Sequence, residues 1–136
     1  MTLFKDFITV VLPTDMRAAS DRIQFKYCNK QFKNSFDSNK KFRTHIMKTV
    51  SGMAKKVKKH HPEYEFNKKI FRDEVKRGHT PPGFVWHHDI TAGILKLVKE
   101  SDHRATPHVG GRALWGNGDY GRRYGKIGDV VFSLFE

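Results

Sequence analysis

Two short apolar runs decide the expected fold of this chain: GFVWHHD at residues 83–89 and ILKLV at residues 94–98. Both runs are rich in β-branched and aromatic side chains, and Thr91-Ala92-Gly93 lies between them. This pattern predicts two strands joined as a β-hairpin. Ser101 or Asp102 can then cap a helix that ends at or before Pro107. The order strand, turn, strand, helix is the expected core of the fold.

Histidine is concentrated in this region, which holds four of the eight histidines in the chain: His87, His88, His103 and His108. Imidazole is the commonest metal ligand and titrates near neutral pH. A short helix packed across a hairpin would bring His103 towards the end of the first strand. Neighbouring strand residues point to opposite faces, so His87 and His88 share one site only if the strand ends or kinks there.

The composition indicates a polyanion partner. The chain has 26 Lys and Arg against 14 Asp and Glu in 136 residues, a formal charge of +12. Such an excess favours nucleic acid binding. A basic protein without a specific partner, or a domain that docks an acidic protein, is the alternative. The single cysteine, Cys28, excludes an internal disulfide and a cysteine-based zinc site, and no apolar run is long enough to span a bilayer.

The rest of the chain reads as a scaffold around the hairpin. The apolar run at residues 4–12 favours a strand, and the alternation at residues 22–27 predicts a second one, followed by an irregular segment to residue 37. A helix capped by Ser38 or Asn39 is expected to run to about Lys59, and a shorter one over 63–77 with Gly78 as its C-cap. Residues 112–125 are expected to form a loop and 128–135 a last strand.

The residues GFVWHHD, the later LKLV, and His103 followed by His108-Val-Gly-Gly resemble the HNH/endonuclease VII superfamily. Within that superfamily they are similar to the branch named for a Trp-His-His motif. The resemblance covers roughly residues 79–115. It implies an α+β fold with a ββα-metal (His-Me finger) core and a metal-dependent endonuclease. The expected organisation is one nuclease domain: an N-terminal scaffold at 1–78, the active-site module at 79–115, and a glycine-rich loop and strand at 116–136.

The resemblance also implies roles for the histidines. His87 would be a catalytic metal ligand, His88 the general base, His103 the second ligand and His108 a third ligand or a phosphate support. Phosphodiester hydrolysis needs such a set, because one group must neutralise the phosphate while another activates water. The middle Asn of the superfamily pattern has no clear counterpart, since Lys96 stands in that stretch. If Lys96 faces the site it contacts the phosphate; if it faces solvent, a backbone carbonyl must orient the base.

One divalent ion, Mg, Mn, Ni or Zn, would suffice, and imidazole ligands favour the transition metals. The expected substrate is nucleic acid, DNA before RNA. Its phosphates would be contacted by a set of basic residues: Lys96, Arg104, Arg112, Arg122 and Arg123. By resemblance, the chain would be a toxin domain delivered into a competitor's cytoplasm by a larger secreted protein, with an acidic immunity protein as partner. A free-standing endonuclease, an RNase of the same fold, and a non-catalytic nucleic-acid-binding module with a structural metal are the alternatives.

Overall fold

A computed structural model of the chain describes residues 6–105. In chain order these residues form strand β1 (Asp6–Val11), a 3-10 helix (Thr14–Ala18), α1 (Asp21–Ser38), α2 (Lys40–His60), α3 (Lys68–Lys76), β2 (Phe84–His88), β3 (Ile94–Lys99) and α4 (Glu100–Ala105). The described residues divide into two compact units, one of residues 6–28 and 84–105 and the other of residues 29–83. The predicted loop at 112–125 and strand at 128–135 lie outside the described residues.

The first unit contains a three-stranded antiparallel sheet in the order β1-β3-β2. The predicted hairpin and the predicted N-terminal strand are both confirmed. Gly93 turns the chain between β2 and β3 with a φ of +76°, a backbone conformation that glycine adopts without the steric cost of a side chain. Its carbonyl also accepts a hydrogen bond of 2.8 Å from the Leu12 amide, which ties the residue just after β1 to the hairpin turn.

The helix α1 replaces the strand predicted at 22–27 and the irregular segment predicted at 28–37, and both of those predictions were wrong. The alternation of Ile23, Phe25 and Tyr27 covers six residues, too few to separate a strand from a helix. A longer stripe decides the outcome, because buried side chains recur at every fourth position through the segment. These are Ser20, Gln24, Cys28, Phe32 and Phe36.

The second unit is built on α2 and α3 together with the part of α1 that follows Cys28. Phe32, Phe36 and Phe71 form an aromatic cluster, with the Phe32 and Phe36 ring centres 5.9 Å apart and those of Phe36 and Phe71 6.3 Å apart. Rings at such spacing add specific contacts to the burial of apolar area. This cluster gives the unit an apolar core of its own.

The caps of α2 and α3 follow the sequence. Asn39 begins α2, its side chain accepting a hydrogen bond of 3.0 Å from the Phe42 amide, so Asn39 rather than Ser38 is the cap. The helix α3 is shorter than predicted, since Asn67 caps it and residues 63–66 precede it. Gly78 closes it at a φ of +79°, and the amides of Gly78 and His79 return to carbonyls of the last turn, as expected for a glycine C-cap.

The architecture of residues 6–105 is therefore helices with a small antiparallel sheet, compatible with the expected α+β fold. The hairpin is followed directly by α4, which begins at Glu100, one residue before the earlier of the two caps predicted for it. The element order β2, β3, α4 matches the order of a ββα module. Within the described part of the chain no helix is long and apolar enough to cross a membrane. The division into one scaffold and one active-site module stays a prediction.

Candidate active site

The two adjacent histidines at the end of β2 serve opposite faces of the sheet. The strand β2 remains paired with β3 through its last residue, with His87 opposite Lys96 and His88 opposite Leu95. Because side chains alternate along a paired strand, the two imidazoles leave the sheet on different sides. Their partners agree with this: His87 lies beside His103 of α4, and His88 beside the start of α1. The strand ends at His88 but does not kink before it.

His87 and His103 form the first half of the candidate site. Their ring centres lie 5.6 Å apart at an angle of 65°. Two imidazoles that bind one ion through nitrogens about 2.1 Å from it place their ring centres roughly 5 Å apart, so the spacing of this pair is compatible with a shared divalent ion. His87 is 8% exposed, which limits competition from water. No cluster of three or more potential ligand side chains occurs among residues 6–105, and His108, the predicted third ligand, lies outside them.

Asp89 and Lys96 share the face of His87. The Lys96 ammonium lies 3.6 Å from the Asp89 carboxylate, and both side chains are about one-fifth exposed, at 20% and 19%. Partial burial by itself raises the pKa of Asp89. Hydrogen bonds from Thr91 and the charges of Lys96 and His87 outweigh that effect and hold the pKa below its ordinary value. Lys96 therefore faces the His87 side of the sheet and already contacts a carboxylate.

His88 has a different surrounding, made by the beginning of α1. Its Nε2 lies 2.8 Å from the Gln24 Oε1 and 3.5 Å from the Asp21 Oδ1, and its ring centre lies 5.6 Å from that of Phe25. His88 is 6% exposed and Gln24 is 0% exposed. Burial in apolar surroundings strengthens such a contact, because water does not compete for the polar atoms. A side-chain amide, that of Gln24, thus helps to orient His88, whereas Lys96 lies on the opposite face of the sheet.

Gln24 is itself anchored on its other side. The Gln24 Nε2 donates to the Met16 carbonyl at 3.0 Å and to the Arg17 carbonyl at 3.2 Å. Both carbonyls belong to the 3-10 helix that precedes α1. The amide therefore joins the 3-10 helix to His88 through one buried side chain.

The remaining predicted site residues divide by position. Arg104 lies on α4, and its side chain is outside the described part of the structure, as are all of His108, Arg112, Arg122 and Arg123. Trp86 is 5% exposed and belongs to the core, as expected for an apolar anchor. His79 is an exposed loop residue whose Nδ1 lies 2.7 Å from a Glu74 carboxylate oxygen.

Gln24 and Asp21 are site residues that the sequence reading missed. Both precede the hairpin by at least 60 residues, and the strand prediction for 22–27 assigned Gln24 to a solvent-facing position. The signal that could have found it is the four-residue stripe of α1. In a helix the stripe places a lone glutamine among buried residues, and a buried amide requires a polar partner.

One comparison with known proteins bears on this site. Residues 76–118 match the family described as a nuclease of the HNH/ENDO VII superfamily with conserved WHH. The match confirms the resemblance, and it extends three residues beyond each end of the expected range. It covers roughly a third of the chain and contains Trp86-His87-His88. No curated protein and no solved structure matches the chain.

Proposed function

We propose, from the match of residues 76–118 to nucleases of the WHH family, that this chain is a metal-dependent endonuclease. The observation that carries the proposal is the approach of His87 to His103, with ring centres 5.6 Å apart, inside the matched residues. A divalent ion held there would neutralise charge on the scissile phosphate and stabilise the departing oxygen. His108 is proposed as its third ligand.

His88 is proposed as the base that activates water. Neutral imidazole accepts one proton from the water, the water oxygen bonds to phosphorus, one P–O ester bond breaks, and the departing alkoxide takes a proton from solvent. We place the reaction at the end of β2. His88 is the last residue of that strand, and two successive side chains can approach one substrate only where the strand stops.

The basic surface of α2 supports nucleic acid as the substrate. The helix α2 contains no acidic residue, and within the described residues no carboxylate pairs with any of its exposed lysines. These are Lys40, Lys41, Lys48, Lys55, Lys56, Lys58 and Lys59. Unpaired like charges repel one another, and phosphates relieve that repulsion while releasing counterions. Such contacts position a duplex without reading its sequence, so we propose a nuclease of low sequence preference, acting on DNA before RNA.

The biological setting is proposed on the family resemblance. In that setting the chain is a DNase toxin domain that acts in the cytoplasm of a competing cell, and an acidic immunity protein restrains it. The formal charge of +12 favours such a partner, because opposite potentials accelerate association. Phosphate contacts by Lys96, Arg104, Arg112, Arg122 and Arg123 remain part of the proposal.

The decisive experiment is a plasmid-nicking assay with EDTA, Mg, Mn, Ni or Zn. Wild-type protein should nick the plasmid in at least one metal, EDTA should stop it, and His88→Ala should lower the rate by about 100- to 10,000-fold. His79→Ala is the matched control, because His79 also lies in the matched residues but is an exposed loop residue that contacts Glu74. It should cut like the wild type. The same panel on RNA separates a DNase from an RNase.

A second candidate function has one observation in its favour. His88 is 6% exposed and its Nε2 is already engaged, which also suits a non-catalytic nucleic-acid-binding module with a structural metal. That module would bind metal and DNA but cut neither DNA nor RNA in any of the ions. Cleavage that survives in His88→Ala at the wild-type rate would instead keep the nuclease and remove His88 as its base.

A further inference from the structure

The buried contact between Gln24 and His88 joins the matched segment to a residue well outside it. Gln24 precedes the family match by 52 residues, yet its Oε1 lies 2.8 Å from the Nε2 of His88. Both side chains are buried. Whether Gln24 accepts a hydrogen bond from His88 or donates one depends on the groups that contact the Gln24 amide nitrogen.

The orientation of the Gln24 amide is settled by two carbonyl groups. Its Nε2 lies 3.0 Å from the Met16 carbonyl oxygen and 3.2 Å from the Arg17 carbonyl oxygen. A carbonyl oxygen only accepts hydrogen bonds, so the amide nitrogen, which carries two hydrogens, must face both of them. The reversed amide would set oxygen against oxygen at two points. The Gln24 Oε1 therefore faces His88 as an acceptor.

An acceptor at that place determines which nitrogen of His88 carries the proton. A neutral imidazole has one N–H donor and one nitrogen with a lone pair. With Gln24 Oε1 facing Nε2, the proton is on Nε2 and the lone pair on Nδ1. The Asp21 carboxylate oxygen lies 3.5 Å from the same Nε2 and favours the same tautomer. The opposite tautomer would place a lone pair against two oxygens in a buried setting.

We propose that Gln24 is a positioning residue that holds His88 in the Nε2–H tautomer, so that Nδ1 is the nitrogen that accepts the proton. The use of Nδ1 in water activation rests on the proposed nuclease function, whereas the tautomer follows from the contacts alone. Gln24 acts through His88 and is not itself a catalytic residue. The N-terminal part of the chain then contributes directly to the chemistry of the matched segment.

The test is a pair of measurements on the full chain. Long-range 1H–15N correlation spectra of the histidine rings distinguish the two tautomers, with the His88 signals assigned by their loss in His88→Ala. Spectra are taken at a pH above which the wild-type signals stop changing. The wild type should show His88 with its proton on Nε2, and Gln24→Met should shift it towards a mixture. In the nicking assay, Gln24→Met should lower kcat by about 10- to 100-fold and leave KM for DNA unchanged.

The matched control is Asn29→Leu. Asn29 is also a buried amide of α1, 7% exposed, and its Nδ2 donates at 3.2 Å to the Thr80 hydroxyl instead of to an active-site residue. Its removal costs a partly buried hydrogen bond of the same helix, so it should lower the stability of the fold while leaving the His88 tautomer and kcat as in the wild type. A kcat lost equally in both variants would assign Gln24 a purely structural role.

The outcomes separate this inference from the nuclease proposal. A wild-type His88 protonated on Nδ1, or a tautomer that Gln24→Met leaves unchanged, overturns the inference whether or not the protein cuts DNA. An Nε2–H tautomer in a protein that cuts nothing upholds the positioning of His88 and rejects the nuclease. If Gln24→Met does not fold, Gln24→Asn decides, because its shorter side chain keeps an amide but withdraws the oxygen from His88. A shift of the His88 tautomer towards a mixture supports the inference, and an unchanged tautomer, or Nδ1–H in the wild type, rejects it.

Discussion

The two faces of the hairpin at β2 and β3 differ in what they contain and in where their partners come from. On the face of His88, four side chains are buried, those of Phe84, Trp86, Leu95 and Leu97, and His88 contacts the start of α1. The face of His87 contains an Asp89–Lys96 pair and the ring of His103. His88 thus faces an apolar core, whereas His87 lies among polar side chains on a face that also buries Val98. The difference predicts that stability and the proposed metal binding are separable by mutation.

The largest expected effect is a difference in the free energy of unfolding between substitutions on the two faces of the hairpin. Trp86→Ala removes a large side chain that is 5% exposed on the His88 face, and the free energy of unfolding should fall by about 3–5 kcal/mol. Val85→Ala changes the neighbouring, half-buried residue on the His87 face and should lower it by about 1 kcal/mol. Urea unfolding followed by circular dichroism measures both. Equal losses in the two variants would contradict a core that lies mainly on the His88 face.

The proposed metal binding should depend on the His87 face of the hairpin. Ni or Zn at about 100 times its dissociation constant should raise the free energy of unfolding of the wild type by about 2.7 kcal/mol. His103→Ala should abolish most of this stabilisation, because it removes one of the two imidazoles whose ring centres lie 5.6 Å apart. His60→Ala, an exposed histidine at the end of α2, is the control and should keep it. Thermal unfolding with and without metal measures the difference, and a His103→Ala protein stabilised like the wild type would remove the pair as a metal site.

A substitution at the hairpin turn should measure how much the close approach of Gly93 to Arg17 contributes to the stability of the fold. A Cβ at Gly93 would lie 2.5 Å from the Arg17 Nε, and the φ of +76° disfavours any other residue. Gly93→Ala should therefore lower the free energy of unfolding by about 1–3 kcal/mol. Gly52→Ala is the opposite case, since Gly52 lies within α2 with no atom within 4 Å of an added Cβ. It should raise the stability by about 0.5–1 kcal/mol, and a loss at Gly52 would show that the difference does not arise from the turn.

The sequence could predict whatever depends on short-range pattern. The hairpin, the Asn39 cap, the Gly78 C-cap and the placement of His103 on a helix all follow from residues close together in the chain. The contact of Gln24 with His88 could not be predicted in this way, because a chain separation of 64 residues leaves no local signal. The error at 22–27 had the same origin: six residues of alternation suited a strand, and only the stripe extending to Phe36 specified the helix.

The smallest expected effect concerns the burial of Cys28 on α1, the helix that contacts His88. Burial raises the pKa of the Cys28 thiol from 9.0 to about 12. The unfolded chain therefore loses this proton near pH 9 while the folded chain keeps it, so stability falls as the pH rises above 9. From about pH 9 to about pH 10 the loss should be about 1 kcal/mol. Lysines and tyrosines also titrate in this range, so the informative quantity is the difference between the wild type and Cys28→Ala, which lacks this contribution and should show a flatter profile. If stability falls with pH equally in the wild type and in Cys28→Ala, Cys28 is accessible to water. The helix α1 would then not exclude water from the face of the hairpin on which Gln24 contacts His88.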